Sequence, residues 1–518
     1  MKLMSIFVVD SYKQFHYMMY PKGMTKLYSN MTPRSYKRLG TKHSVFFGLQ
    51  YYVKEYLIKQ WNENFFQMDL QEVLRQYRRF HKNFSAMDVT TEHIEKLHNL
   101  GYLPIKIKAL PEGSLVPEKV PYFTITNTHP DFGWLVNFLE TQMSTVIWDM
   151  CVNASIAHKY HDLLMKWAVK TGDESFVQWQ GHDFSMRGRS SVESCYNQAG
   201  HLLSFTGTDT IPAVFFLEEY YGADMDKELI GASVPASEHS VVTSYGKENE
   251  IEAFERILDQ FPTGIVSMVS DSFDLWKVCT EYVVTLKEKI LGRDGKLTIR
   301  PDSGDPVDII CGAAHKVVAG QPYRMKDLDE HGGHMPIPYW YTPKDGAKPL
   351  GDAEVKGVVE LLWDAFGGTV NEKGYKVLDP HIGAIYGDAI TPERAEQICT
   401  RLAEKGFAST NIVLGIGSYT YNANTRDTIG LAMKATYCEV VENGVTHQRE
   451  IFKDPITDEG TKKSARGLLQ VVEEDGELVL RDRVNWEEER EGLLATVFLN
   501  GKLVKEYTLQ EVRAKLNG

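Results

Sequence analysis

Polar and ionisable side chains recur where apolar runs of the chain end. The clearest runs are FVQWQGHDFSMRG, LSFTGTDT, ELIGASVPASEHS, GIVSMVSDS, KLTIRPDSGDP, HIGAIYGDAITPE and NIVLGIGS. Their ends carry His182, Asp183, Phe184, Arg187, Asp209, His239, Ser267, Asp271, Arg300, Asp302, Ser303, Gly387, Asp388, Gly415 and Gly417. Backbone N–H groups beside glycines can bind phosphate, and Asp302 and Asp388 suit sugar hydroxyls better than a hydrophobic ligand. This chemistry favours a phosphorylated sugar.

Helical patterns separate these runs and give them their order. FDLWKVCTEYVVTLKEKIL and TPERAEQICTRLAEKG are predicted helices, the second with Thr391 as N-cap and Pro392 at the first helical position. Seven alternations over roughly 250 residues are typical of a (β/α) barrel, and a doubly wound open sheet is the second interpretation. Both architectures gather the carboxyl ends of parallel strands, so the sequence predicts one site built from these ends.

The regions flanking this pattern have a different character. Residues 1–145 mix helical stretches such as SVFFGLQYYVKEYLIKQW with extended runs such as LPIKIKALPEG and VPYFTITNT. The last part of the chain is β-rich, and GLLQVVEEDGELVLRDRV predicts a hairpin around Asp475 and Gly476. We therefore divide the chain into residues 1–145, a barrel over 146–432, and residues 433–518.

Composition excludes several classes of protein. Of 518 residues, 43% are hydrophobic and 25% charged, as in ordinary soluble globular proteins. The formal charge of -13 argues against nucleic-acid binding. Six scattered cysteines without a CxxC pattern indicate free thiols in a reducing compartment. The apolar stretch GWLVNFLETQMSTVIW is too polar to span a membrane, and we expect a cytoplasmic protein.

A set of motifs carries a family resemblance through nearly the whole chain, from Asp10 to Lys462. DSYKQFHYMMYP, GHDFSMRGRSS, FTGTDT, SVPASEHS, VSDSFD, IRPDSGDP, GDAI and FKDPITD follow the order seen in the nicotinamide phosphoribosyltransferase family. The resemblance implies an irregular (β/α) barrel of the type II phosphoribosyltransferases, with a β-rich α+β domain made from both chain ends. It also implies a homodimer with shared active sites. The reaction would join nicotinamide to 5-phosphoribosyl 1-pyrophosphate (PRPP), giving nicotinamide mononucleotide and pyrophosphate in NAD salvage.

The same resemblance assigns roles around the pyridine ring. Phe184 and Tyr12 of the partner subunit would sandwich the ring between aromatic faces. Asp209 would accept the carboxamide N–H, and Ser267 would donate to the carbonyl. A carboxylate at Asp209 repels nicotinate, so this position favours the amide over the acid. No general base is needed, because the attacking pyridine nitrogen carries no proton.

The resemblance gives His239 a separate role as a phosphoryl acceptor from ATP, which would stimulate the transfer. Glu238 or Asp271 could fix the tautomer of its imidazole. We favour Asp271, because side chains of adjacent residues rarely face one another. Together with Arg300 and Asp302, His239 and Asp271 are the expected catalytic residues.

Phosphate and sugar contacts complete the set that the resemblance implies. For ribose and the 5′-phosphate these are Arg300, Asp302, Gly387, Asp388, Gly417, Ser418 and Arg426. For the diphosphate they are Arg187, His239, Arg34, Lys434, Lys453 and Lys462. Vertebrate family members carry a longer glycine run where this chain has GIGSYTYN, so Ser418 is a departure that keeps the N–H. Mg²⁺ would be held mainly by pyrophosphate oxygens, without a certain protein ligand.

Three alternatives stay open at this point. Nicotinate phosphoribosyltransferase is the nearest, and Asp209 argues against it. A metal-dependent barrel hydrolase is disfavoured, because we expect no two histidines to share a helix face or the strand alternation of ligands, as in HxH or HExxH. A non-catalytic nucleotide-binding or signalling protein is disfavoured because His239, Arg300 and Asp302 are all present.

Overall fold

Two large sheets organise the protein. The structure is a computed structural model that describes residues 3–313, 317–318, 321–322, 350–387, 389–453 and 465–518. The strands of the two sheets are β1 (Met24–Thr32), β2 (Ile105–Ala109), β3 (Phe123–Asn127), β4 (Gly181–Asp183), β5 (Gly207–Thr208), β6 (Thr263–Val269), β7 (Asp294–Arg300), β8 (Ile382–Tyr386), β9 (Ile412–Ile416), β10 (Ala432–Glu442), β11 (Val445–Glu450), β12 (Ala495–Leu499) and β13 (Lys502–Leu503).

The six-stranded parallel sheet has the order β5-β4-β9-β8-β7-β6. Its two outer strands are joined by segment 232–237, which makes isolated bridges to both. Thr208 N–H donates to the Ala232 carbonyl at 2.9 Å, and Ser267 N–H donates to the Pro235 carbonyl at 2.9 Å. These bonds close the sheet into a ring. The predicted mixed α/β barrel is therefore confirmed, and the open doubly wound sheet is wrong.

The seven-stranded sheet is antiparallel and has the order β11-β10-β1-β3-β2-β12-β13. Its strands come from residues 24–127 and 432–503, so both ends of the chain build one sheet. β1 pairs with β10 through a long register that includes Asn30 opposite Lys434. The expected β-rich part from both chain ends is confirmed, while the exact division at residues 145 and 432 stays a prediction.

Helices cover the sheets and fill the space between them. The α-helices of eight or more residues in the described chain are α1 (Leu70–Phe84), α2 (Glu92–Leu100), α3 (Glu140–Thr171), α4 (Ile211–Tyr221), α5 (Glu250–Gln260), α6 (Val358–Phe366), α7 (Pro392–Glu404) and α8 (Leu509–Asn517). A 3₁₀ helix, Glu193–Leu203, is also of this length. α3 buries side chains on successive turns, among them Ile147, Cys151 and Leu164. Within the described residues, no helix combines the length and apolarity that crossing a membrane requires.

A helix and a hairpin that the sequence patterns predicted form at the predicted positions. Thr391 caps α7 by accepting the N–H of Arg394, with Pro392 at the first turn. The C-terminal hairpin pairs Leu468–Glu474 with Glu477–Val484, and Asp475 and Gly476 both adopt positive φ in its turn. This hairpin is the predicted one.

Two predicted elements are less regular than their patterns suggested. The helix predicted from FDLWKVCTEYVVTLKEKIL is broken into Leu275–Lys277, a π-helical turn Val278–Tyr282, Val283–Thr285 and Lys287–Leu291. Three successive β-branched residues at 283–285 disfavour an uninterrupted helix. The run ELIGASVPASEHS forms the bridges that close the barrel but no regular strand.

Candidate active site

A cavity of about 500 Å³ runs through the barrel. Phe184, Asp209 and Arg300 line it at the carboxyl ends of the strands, and Trp179 and Asn411 line it at their amino ends. Parallel register explains the gathering at the first mouth, since Asp183 lies opposite both Thr208 and Ile416. Five of the residues predicted at strand ends therefore line this one cavity: His182, Phe184, Asp209, Ser267 and Arg300.

Asp209 lies at that mouth in a small hydrogen-bonded network. His182 Nε2 lies 3.0 Å from Asp209 Oδ1, and the Ser233 hydroxyl donates to the same oxygen. Partial burial opposes ionisation, but the hydrogen bonds from His182 and Ser233 outweigh it and lower the pKa of Asp209. Asp209 is therefore a carboxylate at neutral pH, with Oδ2 left to face a ligand donor.

Ser267 and Phe184 add a hydroxyl and a ring to the same cavity. The Ser267 hydroxyl is buried and has no hydrogen-bond partner among the described residues. Gly415 allows the ring of Phe184 to approach the end of β9, because a Cβ at Gly415 would lie 2.7 Å from Cδ2 of that ring. An aromatic face, a carboxylate and an unpaired hydroxyl thus surround the mouth, which suits a flat ring bearing an amide.

His239 begins a short helix, His239–Thr243, and its side chain is about half exposed. Its Nε2 lies 3.6 Å from Asp271 Oδ1, and its Nδ1 lies 3.1 Å from the Ser272 hydroxyl. Glu238 instead accepts a hydrogen bond from Ser240. Of the two candidate carboxylates, Asp271 is the one beside the imidazole.

Arg300 and Asp302 follow β7 and contact the same loop. Arg300 Nη2 donates to the Ser237 carbonyl at 2.5 Å, and its buried Nε has no partner among the described residues. Asp302 N–H donates to Asp271 Oδ2 at 3.0 Å. Gly387 N–H points to the Pro301 carbonyl at 3.4 Å, so Gly387 lies beside this loop. Asp388 lies outside the described residues.

Arg187 is exposed in the loop after β4 and lines a second cavity of about 550 Å³, which shares Phe184 and Asp209 with the first. Two positions further on, Arg189 is nearly buried and pairs with Asp149 of α3. Its Nη1 donates to Asn422 Oδ1 at 2.6 Å, and the Asn422 amide donates to the Gly188 carbonyl. Arg189 therefore fixes the loop that carries Arg187.

Four expected diphosphate and phosphate residues form a basic group near β10. Desolvation and the charges of Arg34, Lys453 and Arg426 lower the pKa of Lys434, and Glu140 acts in the opposite direction. Arg34 Nε donates to the Gly430 carbonyl at 2.9 Å, which holds its guanidinium beside β10. The structure thus brings these four cations together. Lys462 lies outside the described residues.

Tyr12 lies in a 3₁₀ helix, Ser11–Phe15, and is 56% exposed. It does not line either cavity of its own chain. The helix is anchored by Lys13, whose buried ammonium contacts Glu140 Oε2 at 2.7 Å. Tyr12 is thus an exposed aromatic on a fixed segment.

Gly417 and Ser418 follow β9, and Ser418 begins a helix that ends at Asn422. Ser418 packs against the loop of Gly188, since a Cβ at Gly188 would lie 2.2 Å from Ser418 Oγ. The serine therefore occupies space next to the loop of Arg187.

The expectation that no two histidines share a helix face is wrong. His158, His161 and Asp162 of α3 bring three ligand atoms within 4.8 Å of one another. His161 and Asp162 follow His158 by three and four residues, which puts all three on one face of the helix. This spacing differs from both HxH and HExxH. None of the three lines the barrel cavity, so the described residues give no pre-built metal cage at that mouth.

The sequence patterns did not reveal Ser233 and Arg189 as site residues, and they placed His182 at a strand end without predicting its contact with Asp209. His182 and Arg189 stand inside GHDFSMRGR, but nothing in that run says which arginine faces inward. Ser233 is separated from Asp209 by 24 positions and meets it only through barrel closure.

Comparison with solved structures defines the class of the fold. The crystal structure of nicotinate-nucleotide pyrophosphorylase from Pyrococcus furiosus aligns with a TM-score of 0.52 and 13% identity over 98% of this chain and 93% of its own. That of human nicotinic acid phosphoribosyltransferase gives 0.51 and 14% identity over 98% and 92%. Barrel and antiparallel sheet together thus have the fold of the type II phosphoribosyltransferases.

Sequence comparison then identifies the family. The model of the nicotinate phosphoribosyltransferase family matches residues 179–502, and that of the nicotinamide phosphoribosyltransferase N-terminal domain matches residues 5–107. Nicotinamide phosphoribosyltransferase of Acinetobacter baylyi is 46% identical over 98% of this chain and 96% of its own, and that of Xanthomonas campestris is 31% identical over 98% and 96%. The chain belongs to the nicotinamide phosphoribosyltransferase family and is a pentosyltransferase.

Proposed function

We propose that this enzyme condenses nicotinamide with PRPP to nicotinamide mononucleotide and pyrophosphate, in NAD salvage. The observation that carries the proposal is Asp209, a carboxylate held by His182 and Ser233 at the mouth of the barrel cavity. Its free oxygen suits an amide N–H and repels an acid. The unpaired hydroxyl of Ser267 complements it as a donor to the amide carbonyl.

The pyridine nitrogen attacks C1′ of the ribose while the C1′–O bond to pyrophosphate breaks, through an oxocarbenium-like state. The nitrogen lone pair forms the new bond, and pyrophosphate leaves with the electrons of the old one. Phe184 orients the ring, Arg300 and Asp302 hold the ribose, and Gly387, Asp388, Gly417, Ser418 and Arg426 surround the ribose and 5′-phosphate. Positioning and charge stabilisation are the main contributions of the protein.

The leaving diphosphate takes its charge partners from Arg187 and from the basic group of Arg34, Lys434 and Lys453, with Lys462. Mg²⁺ would be held mainly by the diphosphate of the substrate, and it would supply positive charge against the negative charge that develops on the leaving group. The residues present fit this arrangement, because Arg300 and Arg187 line the two cavities at this mouth and would bind the phosphate oxygens of the substrate rather than Mg²⁺.

ATP is proposed to stimulate the reaction by phosphorylating His239. Asp271 lies beside Nε2, which suits a tautomer with its proton there and a lone pair on Nδ1. Nδ1 attacks the γ-phosphorus of ATP, the bond from that phosphorus to the β,γ-bridging oxygen breaks, and ADP leaves with the electron pair. The imidazolium that results keeps its Nε2 proton towards Asp271. The phosphoryl group would then contribute to diphosphate binding.

A homodimer is proposed to complete each site with Tyr12 of the partner subunit. Tyr12 is exposed on an anchored segment and does not line its own cavity, as expected for a residue that serves another chain. The test is to mix two inactive variants, Tyr12→Ala and Asp209→Ala, under conditions that exchange subunits. After random exchange about half of the dimers are mixed, and a mixed dimer with shared sites has one intact site out of two. Shared sites should therefore restore about a quarter of wild-type turnover. Sites contained within one chain would restore none.

The reaction itself is tested by incubating purified protein with nicotinamide and PRPP, with and without ATP and Mg²⁺, and measuring nicotinamide mononucleotide. Product with nicotinamide, and far less from nicotinate, is expected. Turnover of nicotinate alone would reject the proposal in favour of the acid-specific reaction.

A cytoplasmic location is proposed from the six free cysteines, all of them buried as thiols.

A further inference from the structure

A cluster of three ligating side chains lies on α3, outside the barrel cavity. His158, His161 and Asp162 bring one ligand atom each to within 4.8 Å of the other two. His158 Nε2 and Asp162 Oδ2 are 3.5 Å apart, and the two imidazole rings are nearly parallel with centroids 6.4 Å apart. The cluster stands on a helix of 32 residues, so its backbone is rigid.

These separations match the coordination shell of a transition metal. Zn²⁺ holds imidazole nitrogen and carboxylate oxygen at about 2.0–2.2 Å, which puts neighbouring ligands of a tetrahedron roughly 3.4 Å apart. The gap between His158 and Asp162 is already of this size. The ligand atom of His161 lies within 4.8 Å of the other two, so a side-chain rotation would bring it closer when a metal binds. Two imidazoles with one carboxylate favour Zn²⁺, Ni²⁺ or Cu²⁺ over Mg²⁺ or Ca²⁺, which prefer all-oxygen shells.

The imidazole of His158 has no competing hydrogen bond in the described part of the chain. Its Nε2 is the nitrogen that lies towards Asp162, and its buried Nδ1 has no hydrogen-bond partner among the described residues. Nε2 can therefore bind a metal without first giving up a hydrogen bond to another described residue.

We propose that His158, His161 and Asp162 form a binding site for one divalent transition metal ion of the zinc class, separate from the active site. The ion would join two successive turns of α3 and stabilise the folded chain. His161 also packs on Phe205, with ring centroids 5.8 Å apart. Phe205 in turn lies against the start of β4, since a Cβ at Gly181 would lie 2.8 Å from its ring. Metal binding would thus stabilise the part of α3 that contacts the start of β4 through Phe205.

The test uses the untagged full-length enzyme after treatment with a chelator. Zn²⁺ is titrated against a chromophoric competitor, and the melting temperature is measured with and without Zn²⁺. Wild type is expected to bind one equivalent at this site and to melt at a higher temperature with the metal. Asp162→Asn and His161→Gln should weaken binding at least about tenfold and abolish the thermal shift.

His447→Gln is the matched control, because His447 is exposed beside a single carboxylate, Glu442, at 3.9 Å. It should bind Zn²⁺ as wild type does. Asp162 is exposed, so its asparagine variant is expected to fold and to keep its nicotinamide turnover. The proposal is overturned if wild type shows no saturable binding, or if Asp162→Asn and His161→Gln bind Zn²⁺ with unchanged stoichiometry and affinity.

Discussion

Replacing Asp209 by asparagine tests how the cavity distinguishes an amide from an acid. His182 and Ser233 both donate to one oxygen of Asp209, Oδ1, which leaves the other oxygen for a donor of the ligand. The asparagine has one acceptor oxygen and one NH₂ group. Whichever way its amide turns, it must offer NH₂ either to the carboxamide N–H or to the two donors of the protein. One of these hydrogen bonds is therefore lost.

Two free-energy terms set the size of the effect. A hydrogen bond to a charged acceptor contributes about 1.5–3 kcal/mol, which nicotinamide loses in the variant. Repulsion between two carboxylates at about 4 Å amounts to roughly 4 kcal/mol at an effective dielectric constant of 20. The carboxylate of nicotinate meets this repulsion from Asp209 in the wild type but not from asparagine in the variant. The side chain of Asp209 is 43% exposed, so we take about half of the repulsion as the screened value. Preference for the amide should fall by roughly 10²- to 10⁴-fold.

The assay compares kcat/KM for nicotinamide and for nicotinate at saturating PRPP in wild type and Asp209→Asn. Asp173→Asn is the matched control, because Asp173 lines the opposite mouth of the same cavity and should leave the ratio unchanged. A ratio that moves by less than about threefold in Asp209→Asn would refute the role of this carboxylate, since it corresponds to under about 0.7 kcal/mol.

Three further predictions address other parts of the molecule. His239→Ala is expected to abolish ATP hydrolysis while some nicotinamide transfer remains, and unchanged hydrolysis would reject the phosphohistidine. Arg189→Lys keeps the charge but loses the planar fork between Asp149 and Asn422, so KM for PRPP should rise about tenfold in steady-state kinetics, more than KM for nicotinamide. Burial lowers the pKa of His93 to about 3 and that of His201 to about 4, so the unfolded chain binds protons below pH 6.5 that the folded chain does not. Stability should therefore fall from pH 6.5 towards pH 4, by about 1 kcal/mol for each histidine at pH 5.5, as measured by denaturant unfolding.

The strand ends could be predicted from the sequence because parallel strands are buried on both faces. Such strands are apolar runs, and the first polar residue after each run marks its carboxyl end. Asp209 and Arg300 follow from this rule, whereas the run that precedes His239 forms isolated bridges and no regular strand. Segment 232–237 could not be predicted as the closing element, because two isolated bridges leave no periodic pattern in the sequence.

Buried polar networks are the other part that the sequence does not reveal. Arg189 has the same local context as Arg187, and only the approach of Asp149 from α3 decides which of the two is buried. His182 could be recognised as polar at a strand end, but its role depends on the register that puts β4 beside β5. The partners in these contacts are separated by between 24 and 233 positions in the sequence. Patterns in a single sequence carry no information about which residues meet over such separations.

Asp271 links the two chemical steps that the site is proposed to perform. Its Oδ1 faces His239, while its Oδ2 accepts the Asp302 N–H at 3.0 Å and the Ser303 hydroxyl at 2.6 Å. The Asp271 side chain is 5% exposed, so little solvent screens it. A change in charge at His239, beside Oδ1, is therefore felt at Oδ2, which holds the loop of Asp302. A phosphoryl group on His239 would draw the imidazolium proton towards Oδ1 and weaken the acceptor strength of Oδ2. The loop of Asp302, which is proposed to hold the ribose, would respond directly, so one carboxylate can couple ATP to binding of PRPP.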